Sequence, residues 1–259
     1  MPRLAANLSM MFNEVPFLDR FDAAAKAGFK GVEFLFPYDF SAAEIKARLD
    51  ANGLTQALFN MPPGNWAGGE RGTASLPGRQ AEFREGVKKA LDYAAALDCK
   101  LVHCMAGIPP AGTPFTTAAA LYAANLAWAG EQALAAGVKI AIEPINHRDM
   151  PGYHLNTIAQ GAAIVQAIGV DKIGLQFDIY HCQITEGDIT KRLEAVLPLV
   201  AHMQIADVPA RNEPGTGEIG WPYVFRRIVD LGYTGWIGCE YRPAGDTVAG
   251  LAWRQNYGV

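Results

Sequence analysis

Eight short apolar runs, each followed by a stretch with helical periodicity or a glycine-rich loop, constrain this chain more than any other feature. The runs are Leu4–Ser9, Gly31–Phe36, Thr55–Asn60, Lys100–Met105, Lys139–Glu143, Lys172–Asp178, His202–Ala206 and Trp236–Glu240. Between them, apolar residues recur at helical spacing over Pro16–Ala27, Ser41–Asn52, Arg79–Leu97, Thr116–Ala136, Thr157–Ile168, Asp188–Val200 and Trp221–Leu231. Gly28, Gly53, Gly137, Gly169 and Gly232 stand just past these helical stretches, where a left-handed residue closes a helix. Ser41 and Asp188 stand where an N-cap belongs. Strands that alternate with helices pair in parallel, because the helix carries the chain back to the start of the next strand. Eight such units in 259 residues predict one domain over residues 1–259, folded as a closed (β/α)8 TIM barrel. An open doubly wound sheet is the alternative, but the Gly-x-Gly-x-x-Gly turn that would support it does not follow the first run.

Composition removes several function classes. Half the residues are hydrophobic, enough for a large core, and 19% are charged, with a net charge of −4. A nucleic-acid binder needs a basic stripe, and none is present. Cys99, Cys104, Cys182 and Cys239 form no C-x-x-C pair, which reads as free thiols in a reducing compartment. The N-terminal residues lack the apolar core of a secretory signal, and no run of 18 apolar residues is long enough to span a membrane. A cytoplasmic protein without membrane or nucleic-acid partners is the expectation, and homo-oligomerisation is left open.

The ends of the last four apolar runs carry oxygen ligands. Glu143 closes KIAIE, Asp178 closes KIGLQFD, Gln204 lies near the end of HMQIAD, and Glu240 closes WIGCE. Successive members lie 35, 26 and 36 residues apart, one strand–helix unit per step. In a barrel these side chains converge on the C-terminal rim, where barrel active sites sit. Three carboxylates brought together repel one another or hold protons unless a cation compensates them. Carboxylate and amide oxygens suit hard octahedral cations, Mg²⁺ or Mn²⁺ before Co²⁺, and the set has no thiolate for a structural zinc. Two long Gly- and Pro-rich loops, Met61–Gly78 and Val208–Gly220, follow the third and seventh runs on the same rim.

The segments IEPINH, FDIYH, HMQIAD, NEPGTGEI and WIGCEY resemble the hydroxypyruvate isomerase family, within the xylose-isomerase-like barrels. The opening ANLSMMFNEVPFLDRF and the segment GVEFLFPYDF match as well, so the likeness covers nearly the whole chain. The resemblance implies interconversion of hydroxypyruvate and 2-hydroxy-3-oxopropanoate (tartronate semialdehyde) by proton transfer through an enediolate. It makes Glu143 and Glu240 the acid–base pair and also metal ligands, with Asp178 and Gln204 completing the shell. No organic cofactor is implied. The sister 2-oxo-tetronate isomerases share the opening and the GCEY segment, and IEPINH favours the hydroxypyruvate reading. 2-oxo-tetronate isomerisation or ketose epimerisation on the same site is the alternative.

Other residues support a small hydroxy- or oxo-acid substrate. His181, three residues after Asp178, is placed to bond a substrate oxygen, as a histidine does in the related sugar isomerases. Arg211 and Arg71, one in each long loop, are candidates for the bidentate partner that a substrate carboxylate needs. His103 and His202 read as core histidines, and His147 and His154 have no assigned role. Asn7, Glu33 and Asn60 are polar strand ends that can line a pocket, and Trp66 can wall it. A phosphodiesterase on the same barrel would want several zinc ions, more than five histidines and a basic groove. A non-catalytic sugar-acid binder would not need an intact metal shell.

Overall fold

The computed structural model describes residues 3–259. Eight parallel strands pair in chain order and close on themselves: β1 (Arg3–Asn7), β2 (Gly31–Phe34), β3 (Thr55–Asn60), β4 (Leu101–His103), β5 (Lys139–Ile142), β6 (Ile173–Asp178), β7 (Val200–Gln204) and β8 (Trp236–Cys239). The closing pair is β1 with β8, in register from Arg3 opposite Trp236 to Ala6 opposite Cys239. The main helices are α1 (Arg20–Lys26), α2 (Ala42–Asn52), α3 (Gln80–Leu97), α4 (Phe115–Ala135), α5 (Ile158–Ile168), α6 (Ile179–Thr185), α7 (Ile189–Val196) and α8 (Trp221–Asp230), with two short ones, α9 (Thr247–Gly250) and α10 (Trp253–Tyr257), at the C-terminal end. This is the (β/α)8 barrel that the alternation predicts. None of the described helices is long and apolar enough to cross a membrane.

Local chemistry explains most boundaries. Ser41 caps α2 in a full capping box, its hydroxyl accepting from the Glu44 amide while the Glu44 carboxylate accepts from the Ser41 amide. Gly53 closes the same helix in the left-handed region. Asp188 differs from expectation: it precedes α7 with φ of 50°, and its side chain makes no capping bond. One helix went unforeseen after β6. The stretch IYHCQIT coils into α6 immediately beyond Asp178, whose Oδ1 accepts from the Tyr180 amide and so caps it. Its apolar and polar residues are too few for periodicity to separate them from the strand. The C-terminal α9 and α10 were likewise not foreseen, being four and five residues long.

The barrel interior is layered. Leu58, Leu101, Ala141 and Ala201 form an apolar floor. Two residues further along three of these strands, the same faces carry Asn60, His103 and Glu143, because side chains alternate with period two. Between floor and rim lies a polar layer centred on Glu33, which is fully buried. Its carboxylate accepts from His202 Nε2 at 2.6 Å, Gln204 Nε2 at 2.8 Å and Asn7 Nδ2 at 3.0 Å. Gly238 makes room for it, since a Cβ there would lie 2.2 Å from Glu33 Oε2. The larger apolar core packs between the outer face of the sheet and the helices, with Phe21, Phe59, Phe177, Tyr122 and Trp221 among its fully buried members.

Candidate active site

Glu143, Asp178, His181 and Glu240 each place one ligand atom within 4.8 Å of the others at the C-terminal rim, and all four are buried. Glu143 and Glu240 stand one residue beyond β5 and β8, Asp178 ends β6, and His181 lies in the first turn of α6. Burial sets the electrostatics. It raises Glu143 well above the ordinary carboxylate range, with Glu240 and Asp178 adding repulsion. Burial likewise raises Asp178 to about 6 and Glu240 to about 8, although the Arg211 guanidinium opposes both shifts. Glu143 Oε1 and Asp178 Oδ2 are buried without a hydrogen-bond partner. Unpartnered carboxylate oxygens in a cluster that repels itself are the signature of a place that can hold a cation.

The imidazole of His181 has a defined polarity. Asn146 Oδ1 accepts from the Asp149 amide at 2.8 Å, which turns Asn146 Nδ2 toward His181 Nδ1 at 2.6 Å. Nδ1 therefore accepts and Nε2 carries the proton. That proton faces Glu143 Oε1 at 3.8 Å and Asp178 Oδ2 at 3.7 Å. Burial holds the ring neutral, well below its usual range, and Arg211 reinforces the shift. A protonated Nε2 is a hydrogen-bond donor and has no lone pair for a metal.

Gln204 stands beside Asp178 across the β6–β7 ladder. Its two ends are both occupied, Nε2 donating to Glu33 and Oε1 accepting from Gln176 Nε2 at 2.6 Å. The structure thus brings Glu143, Asp178 and Glu240 together with His181, and sets Gln204 level with Asp178 on the neighbouring strand, its amide turned to Gln176 and Glu33.

A cavity of about 950 Å³ opens over the cluster. Arg71, Arg211, Trp66, Asn60, His103 and Met105 are among the residues on its wall. The two arginines differ. Arg211 is committed to the acidic cluster, with Nη2 at 2.7 Å from Glu240 Oε2 and 3.8 Å from Asp178 Oδ2, and Nη1 at 3.5 Å from Asp149. Arg71 lies 3.9 Å over the Trp66 ring and donates only to the backbone oxygens of Trp66 and Glu70. Among the described residues it has no carboxylate partner. The neighbouring Glu70 is held instead by Arg79, at 2.6 Å.

The sequence reading missed the device that holds Arg211. Asp207, the last residue of HMQIAD, accepts from five donors: the amides of Val208, Gly215, Gly217 and Ile219 and the indole Nε1 of Trp221. One carboxylate thereby gathers the whole 208–220 loop. Arg211 sits in that loop at φ of 60°, a conformation costing a non-glycine residue about 1–3 kcal/mol, and is fixed by backbone bonds to Asp207 and Arg242. The clue was available in the sequence, as an acidic residue at a strand end followed by a Gly-rich loop. Asp207→Ala is expected to cost about 3 kcal/mol or more, because several buried donors lose their acceptor together. Chemical denaturation checks it, and an unchanged unfolding midpoint would show the loop to be held elsewhere.

The remaining histidines divide. His202 is a core residue as expected, bonded to Glu33. His154 is buried against Phe115 and Tyr122, and His147 is exposed. His103 is buried, yet it also lines the cavity, which a core histidine need not do.

A family model described as xylose isomerase-like TIM barrel matches residues 21–257. A 2-oxo-tetronate isomerase from Cupriavidus necator is 56% identical, with 99% of each chain covered. The hydroxypyruvate isomerase of Escherichia coli is 46% identical over 99% of this chain and 100% of its own. A Brucella melitensis structure described as AP endonuclease, family 2, superposes with a TM-score of 0.96 at 48% identity, covering 99% of both chains. A D-psicose 3-epimerase from Clostridium cellulolyticum, solved with D-tagatose, superposes at 0.75 and 19% identity, over 96% of this chain and 88% of its own, and shares the fold.

Proposed function

Because the chain belongs to the xylose isomerase-like TIM barrel family, in the branch that holds hydroxypyruvate and 2-oxo-tetronate isomerases, and is itself an isomerase, we propose that it interconverts 2-oxo-3-hydroxy acids and 2-hydroxy-3-oxo acids with the help of a divalent metal. Hydroxypyruvate and 2-oxo-tetronate are the three- and four-carbon members of that substrate class. They differ only in whether C3 carries a hydrogen or a hydroxymethyl group. In both, a proton moves between C3 and C2, next to the carboxylate. The observation that carries the reading is the pair of buried glutamates, Glu143 and Glu240, held together at the bottom of one cavity with Asp178 and His181.

The residues divide the work as follows. One glutamate takes the proton from the hydroxyl-bearing carbon, which leaves an enediolate whose remaining hydroxyl proton passes from O3 to O2. The other returns a proton to the neighbouring carbon. A divalent cation, Mg²⁺ or Mn²⁺, held by Glu143, Asp178 and Glu240 would supply Lewis acidity to the carbonyl oxygen. Gln204 completes the shell if its Oε1 gives up the Gln176 bond. His181 Nε2–H donates to a substrate oxygen.

Charge recognition falls first to Arg71, whose guanidinium has free donors, and second to Arg211, whose charge is already shared by three carboxylates. Arg71→Ala is expected to raise KM for hydroxypyruvate by a factor corresponding to about 2–3 kcal/mol, within the range for a desolvated charge pair, while leaving KM for a neutral ketose unchanged. Equal effects on both substrates would place the carboxylate elsewhere.

The four-carbon acid is favoured because the 56% identical relative is a 2-oxo-tetronate isomerase. A turnover screen with Mg²⁺ or Mn²⁺, comparing hydroxypyruvate, 2-oxo-tetronate and neutral ketoses, tests the proposal. Turnover of neutral ketoses alone would overturn it.

A further inference from the structure

We propose that His103 is a further catalytic residue, the hydrogen-bond acceptor that holds the substrate hydroxyl at the reacting carbons. This deepens the reading of an isomerase acting on 2-oxo-3-hydroxy acids and rests on it. His103 ends β4 and is 1% exposed. Its Nδ1 lies 3.2 Å from Asn60 Oδ1, on the neighbouring strand. Asn60 presents oxygen, so Nδ1 carries the proton and Nε2 offers a lone pair. Nε2 is buried, lacks any hydrogen-bond partner, and belongs to a side chain on the cavity wall. Glu143 Oε2 is 3.7 Å away, beyond hydrogen-bond length.

The substrate's chemistry names the missing partner. The carboxylate and carbonyl oxygens of a 2-oxo-3-hydroxy acid only accept hydrogen bonds. The C3 hydroxyl is the donor attached to a reacting carbon, and it alone there can satisfy Nε2. After isomerisation the donor is the C2 hydroxyl, one carbon along, so the same lone pair serves substrate and product. His103 and His181 both face Glu143, from either side of its carboxylate, at 3.7 and 3.8 Å. Their Nε2 atoms have opposite polarity. One accepts and the other donates, which matches the adjacent hydroxyl and carbonyl of an α-hydroxy ketone. Burial keeps the His103 ring neutral, down to about 3, so the lone pair is present throughout the working pH range.

The test is a cycle between protein and ligand, on the metal-loaded enzyme. Hydroxypyruvate is compared with pyruvate, which lacks the C3 hydroxyl and is read as a competitive inhibitor. The wild type should bind hydroxypyruvate more tightly than pyruvate. In His103→Leu that preference should shrink by about tenfold, as expected when a hydrogen bond to a buried acceptor is lost, with pyruvate binding unchanged. His103→Gln, which keeps an oxygen acceptor near the position of Nε2, should restore most of the preference, and it serves as the informative variant if the leucine protein does not fold. A preference that survives in His103→Leu, or pyruvate binding that weakens as much as hydroxypyruvate binding, would reduce His103 to a structural residue. A wild type that binds neither acid would overturn the substrate class and this assignment with it. Failure at the wild type and failure at the variant are therefore distinguishable.

Discussion

Glu143→Gln and Glu240→Gln should each lower turnover by about 10²–10⁴-fold, the usual worth of general acid–base catalysis. Glutamine keeps an oxygen in place, so cation binding is weakened less than proton transfer. The competing mechanism is a hydride shift between the two carbons, in which the migrating hydrogen never leaves the substrate. Heavy water separates the two. A carboxylate that captures a proton exchanges it with solvent, so deuterium should enter the carbon that gains hydrogen. A hydride shift leaves that carbon unlabelled. Substrate and product both enolise slowly without enzyme, so an enzyme-free control is subtracted. The variant that retains the first base can still exchange substrate hydrogen without completing turnover, which identifies the acid and the base for each direction. No deuterium above the control, together with near-normal turnover in both glutamine variants, would remove the two-glutamate mechanism.

The geometry behind that expectation was partly legible in the sequence. Short apolar runs, separated by helical stretches that glycines close, revealed the strands, and their order put Glu143, Asp178 and Glu240 on one rim. Their convergence follows from the barrel alone, since adjacent parallel strands end at the same level. What stayed hidden depends on side-chain hydrogen bonds between residues distant in sequence. Glu33 meets His202 and Gln204 across roughly 170 positions, 169 and 171, and strand patterning says only that each is a polar residue facing inward. His103 read as a core histidine for the same reason. Burial was foreseeable, but an unpaired Nε2 becomes visible only once Asn60 is placed against Nδ1. Arg71 and Arg211 were equivalent in sequence, each in a Gly-rich loop. The structure separates them, because Glu240, Asp178 and Asp149 gather around Arg211 while no described carboxylate pairs with Arg71. Substrate chain length was not legible in the sequence, because the discrimination sits in cavity shape, which periodicity does not encode.

Removing the divalent metal should abolish most turnover, and Mg²⁺ or Mn²⁺ should restore it. A second, independent consequence is a change in how stability depends on pH. In the metal-free protein, burial raises Asp178 to about 6 and Glu240 to about 8, and raises Glu143 well above the ordinary carboxylate range. In the unfolded chain these groups ionise near 4. Between those values the folded protein holds protons that the unfolded chain releases. Their contribution to stability is thus fully present below about pH 4 and is lost as pH rises through about 6 and then about 8. A bound cation reverses the preference by favouring ionised carboxylates, so cation and protons compete for the same oxygens. Metal should accordingly raise Tm little at pH 5 and much more at pH 8. At a hundredfold excess over Kd the stabilisation is about 2.7 kcal/mol, on the order of 5–10 °C for a chain of this size. Thermal melts of stripped and reloaded protein at the two pH values, with metal content checked by elemental analysis, measure this directly. Glu240→Gln should flatten the metal-free pH dependence, since one of the groups that holds a proton is gone. Full activity after exhaustive stripping would eliminate the Lewis-acid role. A melting temperature that rises equally with metal at both pH values would show that the cation binds away from the Glu143–Asp178–Glu240 cluster.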